Sequence, residues 1–267
     1  MEKQNLLDIF DETEDIYLDG ELNGFNLPEP KNHLLFNHNE ISDIHKSVYN
    51  KWIYEKKKND DMKIYVEKGD TFNFIIENKI ESPLVLNFAN PIIPGGGVRR
   101  GAKAQEEDLC RASNLLYALE SEEVQGYYYR NKKYDNLGGN NAILSENISI
   151  IRHTNGKLLD RPIDVSVLTI AAPIVPKLYN RNNPIYKEKL EKRIETILDI
   201  AEFYNYKTLI LGAWGCGAFN NNPEDVAKLF KIKLIDRYNF ESVYFIIKAD
   251  SERGINNYNI FSKELLN

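Results

Sequence analysis

Leu84-Val85-Leu86-Asn87-Phe88, followed after six residues by Gly95-Gly96-Gly97-Val98-Arg99-Arg100-Gly101-Ala102-Lys103-Ala104-Gln105-Glu106-Glu107, is the stretch whose reading decides the fold. The apolar five residues read as a buried strand, and a helical pattern opens near Ala104. Between them lies backbone bare of side chains, seven residues ahead of a Gln-Glu-Glu triplet. A strand, a glycine turn and a helix start make an anion site, because the first helical N–H groups lack partners and the dipole is positive there. Two adjacent carboxyls beside such a turn can move a proton to or from oxygen. Three glycines after a strand are often only a tight turn, and glutamates at a helix start are often dipole partners. One or two glycines would serve a turn, however, and a helix start gains little from the triplet. The combination therefore points to a phosphorylated ligand and acid/base chemistry.

Outward from this stretch, strands are expected over 62–67, 143–151, 165–171, 207–213 and 243–248, as well as 84–88. They are β-branched and apolar on both faces, which is the signature of a sheet covered by helices. A helix is expected over 186–203, with Leu190, Ile194, Ile197, Leu198 and Ala201 on one side. Another opens at Asn222-Pro223-Glu224, a cap residue, a first-turn proline and an early acid. The alternation predicts an α/β/α three-layer sandwich, whose ligands bind beyond the strand ends. A second loop of small residues, Gly212-Ala213-Trp214-Gly215-Cys216-Gly217-Ala218-Phe219, follows a strand and precedes a helix start. Two such loops could grip a diphosphate from opposite sides. Residues 61–267 are read as one domain, with residues 1–60 as an N-terminal extension packed on it and a helical patch over 40–56.

Composition narrows the rest. A hydrophobic share of 42% with 28% charged residues suits a soluble globular chain. No run approaches membrane-spanning length, and the first ten residues lack a secretory pattern, so a cytoplasmic protein with no membrane partner is expected. The net charge of −6 argues against a basic groove tracking nucleic acid and for local dipoles gripping a short diphosphate. Arg99, Arg100 and Lys103 could form a local positive rim or be solvated loop charges. Cys110 and Cys216 offer neither a disulfide framework nor a zinc cluster. His33, His38, His45 and His153 have no ligand spacing, so no metal or cofactor is expected.

Asn87-Phe88-Ala89-Asn90 with Gly95-Gly96-Gly97-Val98 resembles the strand end and glycine turn of macrodomains, which bind ADP-ribose. The continuation to Gln105-Glu106-Glu107 resembles the signature of microbial-type poly(ADP-ribose) glycohydrolases, in which three glycines and Gln-Glu-Glu are six to eight residues apart. Leu109-Cys110-Arg111, Gly69-Asp70-Thr71 and the 212–219 loop extend the resemblance from about Met62 to the C-terminus. It implies a macrodomain-like sandwich with a mixed central sheet.

The resemblance also implies roles. Glu107 matches the catalytic acid, Glu106 the residue that holds the ribose whose bond is cut, and Gln105 their support. Asn87 belongs to the matching strand end, and Asn90 is similar to an asparagine that contacts the same ribose. The backbone of Gly95, Gly96, Gly97 and Val98, with Gly215, Cys216, Gly217 and Ala218, would hold the diphosphate, while Phe219 lines the ribose side. Asp70 sits where an acid reads the adenine amino group. Cleavage of a ribose–ribose bond passes through an oxocarbenium-like state, and one carboxyl can protonate the leaving oxygen and then activate water. Three functions stay open: a poly(ADP-ribose) glycohydrolase releasing ADP-ribose from chain ends, a hydrolase removing single ADP-ribose units from proteins or nucleic acids, and a non-catalytic reader. A reader does not need both glutamates. A monomer acting on polymer, with ADP-ribose as product, is the expectation.

Overall fold

A computed structural model describes residues 2–55, 61–177 and 179–266. In chain order the elements are α1 (Lys3–Asp19), the hairpin strands β1 (Glu21–Leu22) and β2 (Phe25–Asn26), β3 (Lys31–Phe36), α2 (His38–Glu55), β4 (Lys63–Lys68), α3 (Thr71–Asn78) and β5 (Leu84–Phe88). The glycine turn and a single 3-10 turn (Val98–Arg100) lead to α4 (Gln105–Ala112), α5 (Leu115–Glu120) and α6 (Gln125–Asn131). The chain ends with β6 (Ala142–Arg152), β7 (Leu158–Ile170), α7 (Pro184–Phe203), β8 (Thr208–Leu211), α8 (Pro223–Arg237), β9 (Ser242–Ile247) and α9 (Glu252–Leu266).

Seven strands form one mixed sheet in the order β3-β6-β7-β5-β8-β9-β4. The β3/β6 and β6/β7 pairs are antiparallel, whereas β7/β5, β5/β8, β8/β9 and β9/β4 are parallel. The two-residue period of a strand sorts side chains between the faces. Leu84 and Leu86 of β5, Leu209 and Leu211 of β8, and Val243 and Phe245 of β9 face one core, shared with Leu190 of α7, Phe230 of α8 and Phe261 of α9. Val85, Ile210 and Ile246 face the other, with Phe72 of α3, Leu109 of α4 and Leu115 of α5. The three-layer expectation therefore describes the molecule.

The N-terminal residues are more deeply involved than an extension suggests. β3 is an edge strand of the main sheet, paired with β6 from Leu34↔Leu144 to Phe36↔Ala142. The helix expected over 40–56 is α2, and Lys56 lies outside the described residues. α1 buries Leu6, Phe10 and Thr13, and Thr13 Oγ1 donates to the Arg111 carbonyl of α4 at 2.6 Å. Arg99 bonds Glu14 of α1 and Glu120 of α5, each at 3.0 Å, so it ties the signature loop down. Fully buried Arg152 of β6 is bonded to Glu12 of α1 at 2.7 Å. β7 starts at Leu158, ahead of the expected 165, because its polar first half pairs with the end of β6. β8 ends at Leu211, and Gly212 and Ala213 already belong to the loop.

Candidate active site

In the parallel part of the sheet every strand ends on the same side, and ligands of such sheets bind there. Asp70 follows β4, Asn90 follows β5, Ala172 follows β7, the 212–219 loop follows β8 and Lys248 follows β9. A cavity of about 330 Å³ lies among these ends, walled by Asn90, Glu106, Glu107, Ala172, the 213–219 loop and Lys248. A second, of about 250 Å³, abuts it along Phe88, Gln105 and Lys248 and is lined by Asp70 and Asp108.

Gln105 decides where the two glutamates stand. β8 pairs with β5 only at Leu84 and Val85, which leaves the end of β5 short of partners. The Gln105 amide supplies them: Nε2 donates to the Leu86 carbonyl at 2.8 Å, and Oε1 accepts the Phe88 N–H at 2.9 Å. A side chain thus behaves as one residue of an adjoining strand and pins the first turn of α4 to the sheet.

Glu106 and Glu107 come next and are both buried. Glu106 Oε2 accepts the Asn90 N–H at 2.6 Å, and Oε1 accepts from the Asn87 amide at 3.2 Å. Asn87 is behind the cavity wall, also bonded to Thr169 on the paired strand. Burial is the main cause pushing the Glu106 carboxyl up to about 8, opposed by the Asn90 and Asn87 donors and assisted by the Glu107 charge. Glu107 Oε1 accepts the Gly97 N–H at 2.8 Å. Gly96, at φ +59°, lies against both acids: a Cβ there would be 2.5 Å from Glu107 Oε1 and 3.1 Å from Glu106 Oε2. The glycine is required by close approach as well as by the positive φ.

The two loops treat their amides differently. In the first, the Gly96, Gly97 and Val98 N–H groups donate to Ile93 O, Glu107 Oε1 and Gly95 O, and the Gly95 N–H bonds Glu106. Gly95, Gly96, Gly97 and Val98 are all buried, and none lines the cavity. In the second, the Gly215, Gly217, Ala218 and Phe219 N–H groups have no acceptor among the described residues, and all four residues line the cavity. Successive free amides form an anion-binding nest. Cys216 lies behind them, buried, with Sγ on the Trp214 carbonyl. Asn221 shapes this loop by donating to Pro173 O at 2.8 Å and Gly215 O at 3.0 Å while accepting from Tyr186. Of the two loops expected to offer main-chain donors, only the second therefore keeps several of them free among the described residues.

At the other end Asp70 is raised to about 6, chiefly by burial and then by the Asp108 charge, with Lys248 opposing. Lys248 bonds Asp108 at 3.0 Å and is 3.9 Å from Asp70. Sequence reading missed Lys248, Ala172 and Asn257 of the cavity wall. Lys248 had one usable signal, its position just past a parallel strand. Of the basic residues beside the signature, Arg99 is structural, and Lys103 lines the second cavity.

The family model for the microbial-type PARG catalytic domain matches residues 25–153. A Deinococcus radiodurans poly(ADP-ribose) glycohydrolase solved with ADP-ribose is 30% identical, with a TM-score of 0.77 over 87% of this chain and 94% of its own. The chain belongs to the microbial-type PARG family. It is accordingly a glycohydrolase with a macrodomain-like fold. The PARG of Thermomonospora curvata superposes with a TM-score of 0.85 at 26% identity over 98% of this chain and 99% of that one. The same enzyme bound to the inhibitor ADP-HPD gives 0.83 over 97% and 99%. No curated protein is similar enough in sequence to match the chain. Among the described residues, no helix is long and apolar enough to cross a membrane.

Proposed function

We propose that this PARG-family protein hydrolyses the ribose–ribose bond of poly(ADP-ribose) from the free chain end, as a cytoplasmic monomer, with Glu107 as the catalytic group. One observation carries the assignment: two buried carboxyls flank Gly96 at the cavity wall, opposite a run of free backbone amides. The terminal ADP-ribose would place its diphosphate on the Gly215–Phe219 amides and its distal ribose between Asn90 and the two acids. Its adenine would lie toward Asp70. Glu107 protonates the leaving 2′-oxygen of the next unit, and as a carboxylate it then takes a proton from the attacking water. Glu106 holds the ribose hydroxyls, and Gln105 acts on position alone because both ends of its amide are engaged by backbone. The wall that α9 contributes through Asn257, with Arg253 bonded to the Gly217 carbonyl at 3.2 Å, favours a terminal unit over an internal one.

Glu107→Gln tests the reading. Turnover should fall by ~10² to 10⁴, the range of general acid/base groups, while calorimetry with ADP-ribose shows binding retained. A time course on polymer should release monomeric ADP-ribose first; long fragments appearing first would contradict end-directed cleavage. Release from mono-modified protein with polymer left intact would favour the single-unit hydrolase. One observation favours exchanged roles for the two acids: burial, against the opposing polar contacts to Asn90 and Asn87, pushes the Glu106 carboxyl up to about 8, within reach of a general acid at neutral pH. Glu106→Gln would then be the inactive variant and Glu107→Gln the active one.

A further inference from the structure

A third cavity, of about 230 Å³, adjoins the first at Ala172 and the segment after Asn90. Ala172 lines both cavities, and Pro91 and Ile92, which line the third, follow Asn90 of the first. The wall between them is fixed: the Ala171 N–H donates to Tyr127 Oη at 2.9 Å, and its carbonyl accepts from Arg193 Nη1 at 2.8 Å. Arg193 is buried beneath the cavity, bonded to the Ala171 and Leu137 carbonyls, with no carboxylate at ion-pair distance among the described residues. Lys132 adds a second, exposed cation. Asp135 is the one carboxylate in the lining; it caps its own turn at the Leu137 N–H and pairs with Lys189. The site is therefore locally positive on a chain of net charge −6. At its lip the Tyr134 ring is half exposed and leans on Gly139, where any side chain would collide with it.

We propose that this cavity is the subsite for the penultimate ADP-ribose unit, Tyr134 taking its adenine and Lys132 its diphosphate, with buried Arg193 adding positive charge from beneath. The inference rests on the polymer-cleaving reading above. In that reaction the leaving 2′-oxygen belongs to an adenosine ribose, which carries a base at C1′ and a diphosphate at C5′. A half-exposed aromatic ring beside unpaired positive charge is what those two groups require, since bases stack on aromatic faces and cations hold phosphate. The subsite grips the leaving side only, so it acts on polymer and not on free ADP-ribose.

Tyr134→Ala and Lys132→Glu in the full chain, both at exposed positions, test this with two substrates: polymer, and ADP-ribose joined through its distal C1″ to a small aryl leaving group. Loss of one base stack should lower kcat/KM on polymer about tenfold, and Lys132→Glu should also weaken the salt dependence of KM. Hydrolysis of the aryl substrate and inhibition by ADP-ribose should stay at wild-type values. Unchanged polymer kinetics, or equal losses on both substrates, would overturn the subsite while leaving the polymer reading intact. A wild-type enzyme that cuts the aryl substrate but not polymer would overturn the polymer reading, and the subsite with it.

Discussion

Gly96→Ala is the smallest change that separates chemistry from binding in this cleft. The added Cβ would be 2.5 Å from Glu107 Oε1, and ordinary contact begins near 3.4 Å. The Glu107 carboxylate must therefore retreat by roughly 1 Å, a misplacement that can cost on the order of 10²-fold in rate. Glu106 Oε2, at 3.1 Å from the new atom, must also yield by a few tenths of an ångström. An L-residue at φ +59° adds ~1–2 kcal/mol of strain, which lowers the melting temperature by about 2–8 °C for a chain of this size. ADP-ribose affinity should remain near wild type, because the free amides are on the other loop. The assay is ADP-ribose release at saturating polymer, followed by chromatography, with calorimetry on the same preparation. A folded variant with wild-type kcat would refute the reasoning. A raised KM at unchanged kcat would instead assign the first loop to the diphosphate, as its glycines alone suggest.

Gly217→Val should have the complementary effect: a Cβ at 217 meets nothing within 4 Å, so the fold should hold while ADP-ribose affinity falls, and undiminished affinity by calorimetry would remove the diphosphate role from that loop. Glu106 has its carboxyl raised from 4.5 to about 8, so its contribution to stability is fully present below 4.5 and lost as pH rises toward 8; Glu106→Gln should flatten the thermal stability of the free enzyme across that window, and an unaltered profile would show that Glu106 is not the titrating group. Asp70 is raised to about 6, and in the proposed adenine contact its carboxylate would accept an amino hydrogen more strongly than the neutral acid, so ADP-ribose affinity should weaken as pH falls through 6. Asp70→Asn should lose that step in a titration series, and its persistence would locate the proton elsewhere.

Much of the sheet was legible because β5, β8 and β9 are short, apolar on both faces and bounded by turn residues. β3 was not. It is an edge strand containing Lys31, Asn32 and His33, and its pairing with β6 is a long-range event with no local signature. α1 escaped for a related reason: only Leu6, Phe10 and Thr13 are buried among many acids, so its amphipathic pattern is faint. In the site, the Gln105-Glu106-Glu107 triplet and both glycine loops could be found from composition and spacing. The distribution of their amides could not, because whether an N–H is free depends on how each turn closes on itself. Lys248 and Ala172 are single residues at strand ends, brought into the cleft by sheet order alone.

The bonding of Gln105 has a mechanical corollary. Glu106 and Glu107 inherit the stiffness of the central strand, since the residue before them is spliced into its hydrogen-bond ladder at Leu86 and Phe88. The acids cannot drift independently of the sheet, whereas on the opposite bank the Gly215, Gly217, Ala218 and Phe219 N–H groups have no acceptor among the described residues. The cleft is thus an anvil faced by open amides: the sheet keeps both carboxyls in register, and the main-chain donors still free to meet a ligand are on the opposite bank.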